Sequence, residues 1–192
     1  MFTLWLNASP HAQGDSATLA ELALQEIPGE KLRLDLYPPK VEPCRDCGDC
    51  RAGEACQLDA TDAMGHIRER LHQADNLLLS SPLHFFSLSA PLVALASRLE
   101  PEWFVWRQTR KPAPDKRRAA LVVTAGGDYP DMFQAARLVA SAFFRIAGFT
   151  QAEGVEVAGT DRRPPRENPE ARKRAVETGR RLAGVTPLPP PD

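Results

Sequence analysis

The sequence carries almost no net charge, and this absence excludes several classes of partner. Its 24 Lys and Arg residues are balanced by 25 Asp and Glu residues, which leaves a formal charge of −1. A surface without a dominant sign offers no field that would gather nucleic acid or an anionic membrane. Residues 160–183 are locally basic, but a solvated helix face accounts for that stretch without a ligand. We therefore expect neither nucleic acid nor a membrane among the partners.

Charged residues are also missing from residues 77–97, where no Asp, Glu, Lys or Arg occurs. Such a run could suggest a membrane span, but Pro82 and Pro91 interrupt it, so a buried strand, an uncharged loop and a helix start fit better. The N-terminus lacks the basic segment and the long apolar stretch of a signal peptide. These absences predict a cytoplasmic protein, in which thiols stay reduced.

Cysteine is absent everywhere except in one short segment that holds Cys44, Cys47, Cys50 and Cys56. The two-residue gaps allow successive thiolates to point inward from one tight loop, a spacing typical of an iron–sulfur cluster. Four thiolates also suit structural zinc, although zinc sites usually set two CxxC pairs apart. Disulfides or four free thiols are further alternatives, and a reducing compartment argues against disulfides. The spacing favours an iron–sulfur cluster over zinc.

Apolar runs alternate with helical patterns along the chain, which indicates a parallel α/β sheet. This alternation predicts a flavodoxin-like doubly wound fold, with five parallel strands in the order 2-1-3-4-5 and helices on both faces. We expect a single domain at 1–185 that includes a cysteine-rich loop at 43–60, and a flexible tail at 186–192. Thr61 or Asp59 should cap the second helix, and Gly148 should follow the fourth. Strands are predicted at Phe2–Asn7, Lys31–Tyr37, Asn76–Ser80, Ala119–Thr124 and 149–157, and helices at about 16–27, 61–73, 89–99, 130–147 and 168–183.

Three loops follow predicted strands at the edge where such sheets bind ligands. The first, 7–18, is rich in hydroxyl side chains ahead of a helix start, which suits a phosphate, although Ser16 could equally be a simple N-cap. The second, 81–90, is uncharged and aromatic, which suits the flat face of a ring system. The third, 124–128, contains two glycines that allow close approach to the backbone.

These motifs together resemble those of the flavodoxin-like NAD(P)H-dependent FMN reductases, and more closely of the iron–sulfur flavoproteins among them. Residues 8–16 resemble the family's GSPRxxGNT loop, and 43–64 resemble its PCxxCxxC segment with a fourth cysteine and DDM. Residues 81–90 resemble SPVYFxSxSA, and 124–127 resemble S/TxGG. The four motifs follow one another in the family's order and extend over about residues 1–150.

The resemblance also implies which residues bind the cofactor. The flavin itself carries the chemistry, so no residue of the protein has to act as a catalytic acid or base. His84 is the weak candidate for a catalytic role, and a hydrogen bond to a flavin carbonyl or simple packing is the favoured explanation. The resemblance implies an FMN phosphate at Ser9, His11, Ser16 and Thr18, an isoalloxazine ring against Pro82, Leu83, His84 and Phe85, and Gly126 and Gly127 along the opposite edge.

The same resemblance implies an FMN-dependent oxidoreductase that moves electrons between NAD(P)H or a ferredoxin-like donor and a small acceptor such as a quinone. It also implies a homodimer or tetramer with a 4Fe–4S cluster on the four cysteines, near a flavin at a subunit interface. Two alternatives stay open: an FMN or quinone reductase without a cluster, and a non-catalytic redox or metal sensor.

The sequence departs from the family's pattern at three positions. His11 replaces an arginine, Asp15 replaces an asparagine and Phe86 replaces a glycine, so weaker FMN binding is expected. The segment 100–116 adds Trp103, Phe104 and Trp106, for which a dimer contact, a lid over the flavin or ordinary packing are the alternatives.

Overall fold

A parallel β-sheet forms the centre of the structure, a computed structural model that describes residues 1–114 and 116–185. The tail predicted at 186–192 lies outside the described residues. The strands are β1 (Phe2–Asn7), β2 (Glu30–Asp35), β3 (Asn76–His84), β4 (Ser87–Leu88), β5 (Arg118–Thr124), β6 (Thr150–Gln151) and β7 (Val155–Val157). Their spatial order is β2-β1-β3-β5-β6, while β7 pairs with β5 and β4 pairs antiparallel with β3.

Helices cover both faces of this sheet, as the sequence predicts for a flavodoxin-like doubly wound fold. The helices are α1 (Asp15–Gln25), α2 (Met64–Gln73), α3 (Ala90–Ser97), α4 (Glu100–Thr109), α5 (Gln134–Ile146) and α6 (Pro169–Leu182). Residues of α1 and α6 share one hydrophobic core, and residues of α2, α3 and α5 share the other. No helix in the described ranges is long and apolar enough to span a membrane.

The central strands are mostly apolar because they are buried on both faces. Leu4 and Leu6 of β1 belong to the core beneath α2, α3 and α5, whereas Trp5 belongs to the core beneath α1 and α6. In β3, Leu77 and Leu79 fall in the first core and Leu78 in the second. Because side chains alternate between the two faces along a strand, each strand contributes apolar side chains to both cores.

Two predicted strand boundaries are wrong. Strand β3 does not end at Ser80, because its backbone stays paired with β5 as far as Pro82 and then forms a hairpin with β4. The strand predicted at 149–157 is split into β6 and β7, because the residues between them leave the sheet. A Cβ atom at Gly154 would lie 2.0 Å from the backbone oxygen of Leu121, so the chain passes too close for a side chain there.

The helical predictions need three corrections. Helix α4 occupies most of the segment 100–116, where no regular element is predicted; Pro101 and Glu102 in its first turn favour a helix start. Helix α5 begins at Gln134 rather than near 130. Helix α2 is capped by neither Thr61 nor Asp59: the Met64 N–H donates to Asp62 Oδ1 at 2.8 Å.

The prediction for Gly148 is confirmed, because this residue follows α5 with a φ of 78°. That left-handed conformation at the end of a helix favours glycine.

Candidate functional site

A cleft of about 300 Å³ lies at the carboxyl edge of the sheet, where the loops after β1, β5 and β7 meet the carboxyl end of β3. Seven of the ten residues predicted to bind a cofactor line it, so three separate segments of the sequence converge as expected. The residues that line the cleft are Ser9, Pro10, His11, Gly14, Asp15, Ser16, Pro82, Leu83, His84, Thr124, Gly126 and Thr160.

The amino end of α1 opens into this cleft without a side-chain cap. Gly14 is the N-cap residue, and the first backbone N–H to bond back is that of Thr18, which donates to Gly14 O at 2.9 Å. The N–H groups of Asp15, Ser16 and Ala17 therefore have no partner within the helix. Three free amide donors at the positive end of a helix dipole form an anion site. Ser16 lies inside the first turn, so the alternative that it is a simple N-cap is wrong.

A buried polar network fixes the backbone beneath the first loop. Asn7 Nδ2 donates to Asp35 Oδ1 at 2.7 Å, and Asn7 Oδ1 accepts the hydroxyl of Ser80 at 2.8 Å. Trp5 Nε1 in turn donates to the Ser80 hydroxyl at 2.7 Å. Burial of the Asp35 carboxyl would raise its pKa, but the hydrogen bonds from Asn7 and Arg33 dominate and lower it. The carboxylate therefore stays charged and holds Asn7 in place.

Buried serines join the first loop to the second. The Ser89 hydroxyl donates to Ala8 O at 2.7 Å, and the Ser89 N–H donates to Ser81 Oγ at 3.0 Å. Within the first loop, the His11 N–H donates to Ser9 Oγ at 3.1 Å. Small hydroxyl residues allow these loops to lie against each other while every contact stays hydrogen-bonded.

Three predicted residues lie outside the cleft. Thr18 is half-buried one turn further along α1, and Gly127 is packed against the ring of Tyr129. Phe85 is fully exposed because it forms, with Phe86, the two-residue turn between β3 and β4. Both phenylalanines have positive φ, 47° and 61°, the backbone that this tight hairpin turn requires. The flat aromatic wall expected from Phe85 is therefore absent from the cleft.

Thr124 and Thr160 were not among the predicted cofactor-binding residues. Thr160 follows β7, and its N–H donates to Ala125 O at 3.0 Å, which brings this loop beside the one after β5. The sequence did contain a signal: Gly159 and Thr160 follow an apolar strand, as small and hydroxyl residues do in the other three loops.

The four cysteines line a second hollow, between the cysteine loop and the junction of α3 with α4. It is lined by Cys44, Arg45, Asp46, Cys47, Gly48, Asp49, Cys50, Arg51, Cys56, Leu58, Arg98, Glu100 and Pro101. All four cysteines are free, so the disulfide alternative is wrong for this structure. Within the described residues, no group of three or more His, Cys, Asp or Glu side chains is placed to hold a metal ion.

The groups around the hollow change the pKa of one cysteine thiol, that of Cys50. Burial raises the pKa of Cys50, and the negative charges of Glu100, Cys44 and Cys47 raise it further. A bound cation or cluster would relieve this repulsion, since thiolate is the form that ligates metal. The chemistry of four cysteines that line one hollow suits a soft, thiolate-ligated centre, but in this structure their side chains are not arranged around a common metal position.

A buried arginine lies beside the hollow. Arg98 is 1% exposed, and its guanidinium donates to Asp59 and Asp62, each at 2.6 Å. Burial alone would lower the pKa of Arg98, but the hydrogen bonds to Asp62 and Asp59 raise it, and Cys56 adds to the rise. Arg68 extends the network by donating to Asp59 at 2.8 Å and to Glu102.

Helix α3 connects the cleft with the hollow. At its amino end Ser89 bonds to the first cleft loop, and at its carboxyl end Ser97 Oγ accepts the Cys44 N–H at 3.0 Å. Eight residues of helix at 1.5 Å per residue separate the two contacts by roughly 12 Å.

The aromatic residues of α4 do not lie along the cleft. Trp103 and Phe104 contact each other with ring centroids 4.9 Å apart, and Trp106 lies between Arg110 and Arg145 of α5. Trp106 thus packs beside α5 instead of covering the cleft, which contradicts the lid alternative for that residue. A dimer contact stays a prediction.

Comparison with known proteins agrees with the sequence motifs. A family model described as NADPH-dependent FMN reductase matches residues 1–159. An iron–sulfur flavoprotein of Methanocaldococcus jannaschii is 28% identical over 104 residues, which cover 53% of each chain. A Bacillus subtilis protein named as an NAD(P)H-dependent FMN-containing oxidoreductase is 30% identical over 132 residues, or 65% of this chain and 66% of its own. The match spans about half the length of the iron–sulfur flavoproteins from M. jannaschii and Archaeoglobus fulgidus, 53% and 54%.

Solved structures share the fold over nearly the whole chain. An FMN-dependent NADH-azoreductase from Bacillus anthracis, in complex with FMN, superposes with a TM-score of 0.74 at 20% identity over 95% of this chain and 100% of its own. An NAD(P)H:quinone oxidoreductase from Methanothermobacter marburgensis gives 0.68 at 20% identity, over 95% and 96%.

Proposed function

The chain belongs to the NADPH-dependent FMN reductase family, and from that premise we propose that its cleft binds FMN for electron transfer from NAD(P)H to a small acceptor such as a quinone. Family membership makes it a flavin-dependent oxidoreductase; the residues, the acceptor and any second cofactor are the proposal. One observation carries it: the uncapped amino end of α1 opens into a cleft built at the carboxyl ends of β1, β3, β5 and β7.

The cleft residues divide into two groups by their chemistry. The free N–H groups of Asp15, Ser16 and Ala17, with the Ser9 and Ser16 hydroxyls and His11, would hold the phosphate. The backbone and side chains of Pro82, Leu83 and His84, with Gly126, Thr124 and Thr160 opposite, would hold the ring system.

The chemistry that FMN supplies when bound is acceptance of a hydride from NAD(P)H and release of its two electrons to an acceptor. No side chain of the cleft has to gain or lose a proton for hydride transfer. His84 would accordingly orient the ring through a hydrogen bond, and the loops would keep water from its buried face.

A comparison of FMN with riboflavin tests the phosphate site, because the two ligands differ only by the phosphate. We expect FMN to bind at least about tenfold more tightly, the gain from a single charge-assisted hydrogen bond of roughly 1.5 kcal/mol. Ser16→Ala should shrink the difference, whereas Thr18→Ala, outside the cleft on the same helix, should preserve it. Equal affinity of the wild-type chain for both ligands, measured by flavin fluorescence, would exclude this phosphate site.

We further propose that Cys44, Cys47, Cys50 and Cys56 ligate a 4Fe–4S cluster. Two observations support this proposal. All four cysteines are free and line one hollow, and the matched relatives from M. jannaschii and A. fulgidus are named iron–sulfur flavoproteins. The test is anaerobic purification with measurement of the absorbance spectrum, iron, acid-labile sulfide and flavin. Flavin bands with broad absorbance near 400 nm and about four irons per chain would support both cofactors. Flavin without iron would identify a cluster-free FMN or quinone reductase.

The remaining parts of the proposal concern assembly and donors. We propose one FMN-binding domain at 1–185, a homodimer or tetramer and a cytoplasmic location, where the cysteines stay reduced. Either NAD(P)H or a ferredoxin-like protein would donate electrons. Anaerobic mixing with NADH, NADPH or reduced ferredoxin, followed by flavin absorbance, separates these donors, and sedimentation gives the oligomeric state.

A further inference from the structure

One buried side chain holds both ends of the cysteine loop. Arg98 follows α3, and one terminal nitrogen of its guanidinium donates to Glu42 O at 2.9 Å and to Asp62 Oδ2 at 2.6 Å. The other terminal nitrogen donates to Asp59 Oδ1 at 2.6 Å. Glu42 lies two positions before Cys44, and Asp59 lies three positions after Cys56. The same guanidinium therefore joins the chain just before the first cysteine to the chain just after the last.

Neighbouring groups hold Arg98 in place and form further hydrogen bonds between the two ends of the cysteine loop. Asp62 Oδ2 also accepts the Glu42 N–H at 3.0 Å, which ties the two ends a second time. Ser97 accepts the N–H of Cys44 itself at 3.0 Å. Arg68 donates both to Asp59, at 2.8 Å, and to the carbonyl of Arg98, at 2.9 Å. The arginine is thus anchored from several sides and has little freedom to leave the loop.

Between these anchors the loop forms a short 3-10 helix, Asp49–Ala52, that lies against α4, and much of the rest is open. Cβ atoms built at Gly48 and Gly53 would meet nothing within 4 Å, and Cys47 is exposed. The ion pairs Arg45–Glu42 and Arg51–Asp46 lie on the surface, where such pairs contribute little. Its ends are therefore held by buried charge-assisted hydrogen bonds, while its middle is held by local backbone hydrogen bonds and by contact with α4.

We propose that Arg98 is a positioning residue for the cysteine ligands: it closes the ends of the loop so that Cys44 and Cys56 face one hollow before metal arrives. This inference rests on the proposed cluster. A planar guanidinium can bridge a carbonyl and two carboxylates in a fixed geometry, whereas a lysine ammonium of the same charge cannot. Closing the loop in advance removes part of the entropic cost of gathering four ligands.

Metal-free protein provides the first test, because the inference concerns the loop before metal binds. Trypsin cleavage after Arg45 and Arg51, followed by mass spectrometry, reports how often the loop opens. Arg98→Met should speed cleavage at these two sites by about tenfold or more, since opening would no longer break buried hydrogen bonds. Arg117→Met is the matched control, because Arg117 is a partly buried arginine that donates to four backbone carbonyls elsewhere, those of Leu71, Ala74, Ala147 and Gly148.

Metal loading provides the second test. Each variant is reconstituted anaerobically with ferrous iron and sulfide, and iron release to a chelator is timed beside the FMN content. We expect Arg98→Met and Arg98→Lys to release iron about 10- to 100-fold faster, the usual cost of losing a group that orients metal ligands. FMN content should stay at the wild-type value in both, and the Arg117→Met protein should release iron at the wild-type rate.

The outcomes separate this inference from the proposed cluster. If the wild-type chain takes up no iron, the cluster is excluded and the role of Arg98 with it. If the wild-type chain holds iron and Arg98→Met holds it equally well, only the role of Arg98 is overturned. If Arg98→Lys releases iron at the wild-type rate, the positioning role is also overturned, because a positive charge alone would then be sufficient. Should Arg98→Met not fold, Ser97→Ala removes the acceptor for the Cys44 N–H and must still accelerate iron release.

Discussion

The cleft and the cysteine loop lie at opposite ends of α3, yet the structure holds them in different ways. In the cleft, buried Ser9, Ser81 and Ser89 form hydrogen bonds within and between the loops, and a Cβ at Gly14 would lie 2.9 Å from Ser9 Oγ. In the cysteine loop, the ends are held by buried hydrogen bonds, whereas the middle is half-buried at Cys50 and exposed at Cys47 and from Arg51 to Ala55. Buried hydrogen bonds within the fold therefore hold the cleft throughout, whereas they hold the cysteine loop mainly at its ends.

The largest expected effect is confined to the loop. Cys47→Ser should lower iron from about four per chain to less than one, since the cluster loses a thiolate ligand. FMN content should not change, because the cleft does not depend on the loop. Arg51→Gln, which alters a neighbouring residue without sulfur, should retain iron. Loss of FMN together with iron in Cys47→Ser would show that the two regions are not independent.

The reverse experiment targets the network beneath the cleft. Asn7→Ala removes the partner of both Asp35 and Ser80, so we expect the free energy of unfolding to fall by roughly 2 to 3 kcal/mol. FMN affinity should fall with it, while iron content stays unchanged. Asn168→Ala is the control: it removes the side-chain cap of α6 at a cost of about 1 kcal/mol without affecting FMN. Urea unfolding and flavin titration measure both quantities.

Acid should weaken the anchors of the loop through Asp62. Burial would raise the pKa of this carboxyl, but the N–H groups of Met64 and Glu42 and the Arg98 side chain lower it below its usual 3.8. A carboxyl with a lowered pKa in the folded protein stabilises it at higher pH, and the contribution is lost as pH falls through the folded value. Asp62→Asn should thus cost roughly 1 to 2 kcal/mol at pH 7, and the difference should vanish well below pH 3.8.

If the stability difference between Asp62→Asn and wild type is the same at pH 7 and pH 3, the ionised carboxylate is not what anchors the loop.

The pKa of Asp35, on the cleft side, is also lowered in the folded protein. Its contribution to stability should therefore be lost in acid in the same way.

The smallest expected effect concerns the charge beside the phosphate site. Asp15 lies in the first turn of α1 and lines the cleft. Asp15→Asn should raise FMN affinity about threefold to fivefold, the effect of removing roughly 1 kcal/mol of repulsion, and leave riboflavin affinity unchanged. It should also reduce stability by about 0.3–1 kcal/mol, because an acid favours a helix amino end. Glu21→Gln, later in the same helix, should leave the FMN preference as it is.

The sequence predicted the cleft well because its signals are local. Apolar strands such as Phe2–Asn7 end in small hydroxyl residues, and parallel strands bring their carboxyl ends to one edge. The two-residue turn at Phe85 and Phe86 was missed because aromatic residues rarely adopt positive φ, so nothing in the pattern predicted a hairpin there. The contribution of Thr160 was missed because it depends on a contact between distant segments, the hydrogen bond from the Thr160 N–H to Ala125 O.

The support of the cysteine loop could not be predicted, because it depends on contacts between distant residues. Arg98 bonds to groups 36 to 56 positions away, and no periodicity encodes such a pairing. One hint was present: Arg98 is the first charged residue after the uncharged run 77–97. An arginine that ends a buried helix must find partners, but the sequence does not name them.

Helix α3 has a consequence for how this protein can vary through evolution. Because Ser89 and Ser97 attach the cleft and the first cysteine to one rigid helix, the helix and not the loop sets the spacing between the two regions. The residues between the cysteines can therefore be exchanged while that spacing is preserved, although the two-residue gaps from Cys44 to Cys50 must keep their length for the thiolates to meet. A change in the length of α3 would instead move one region relative to the other, so insertions and deletions should be excluded from the helix.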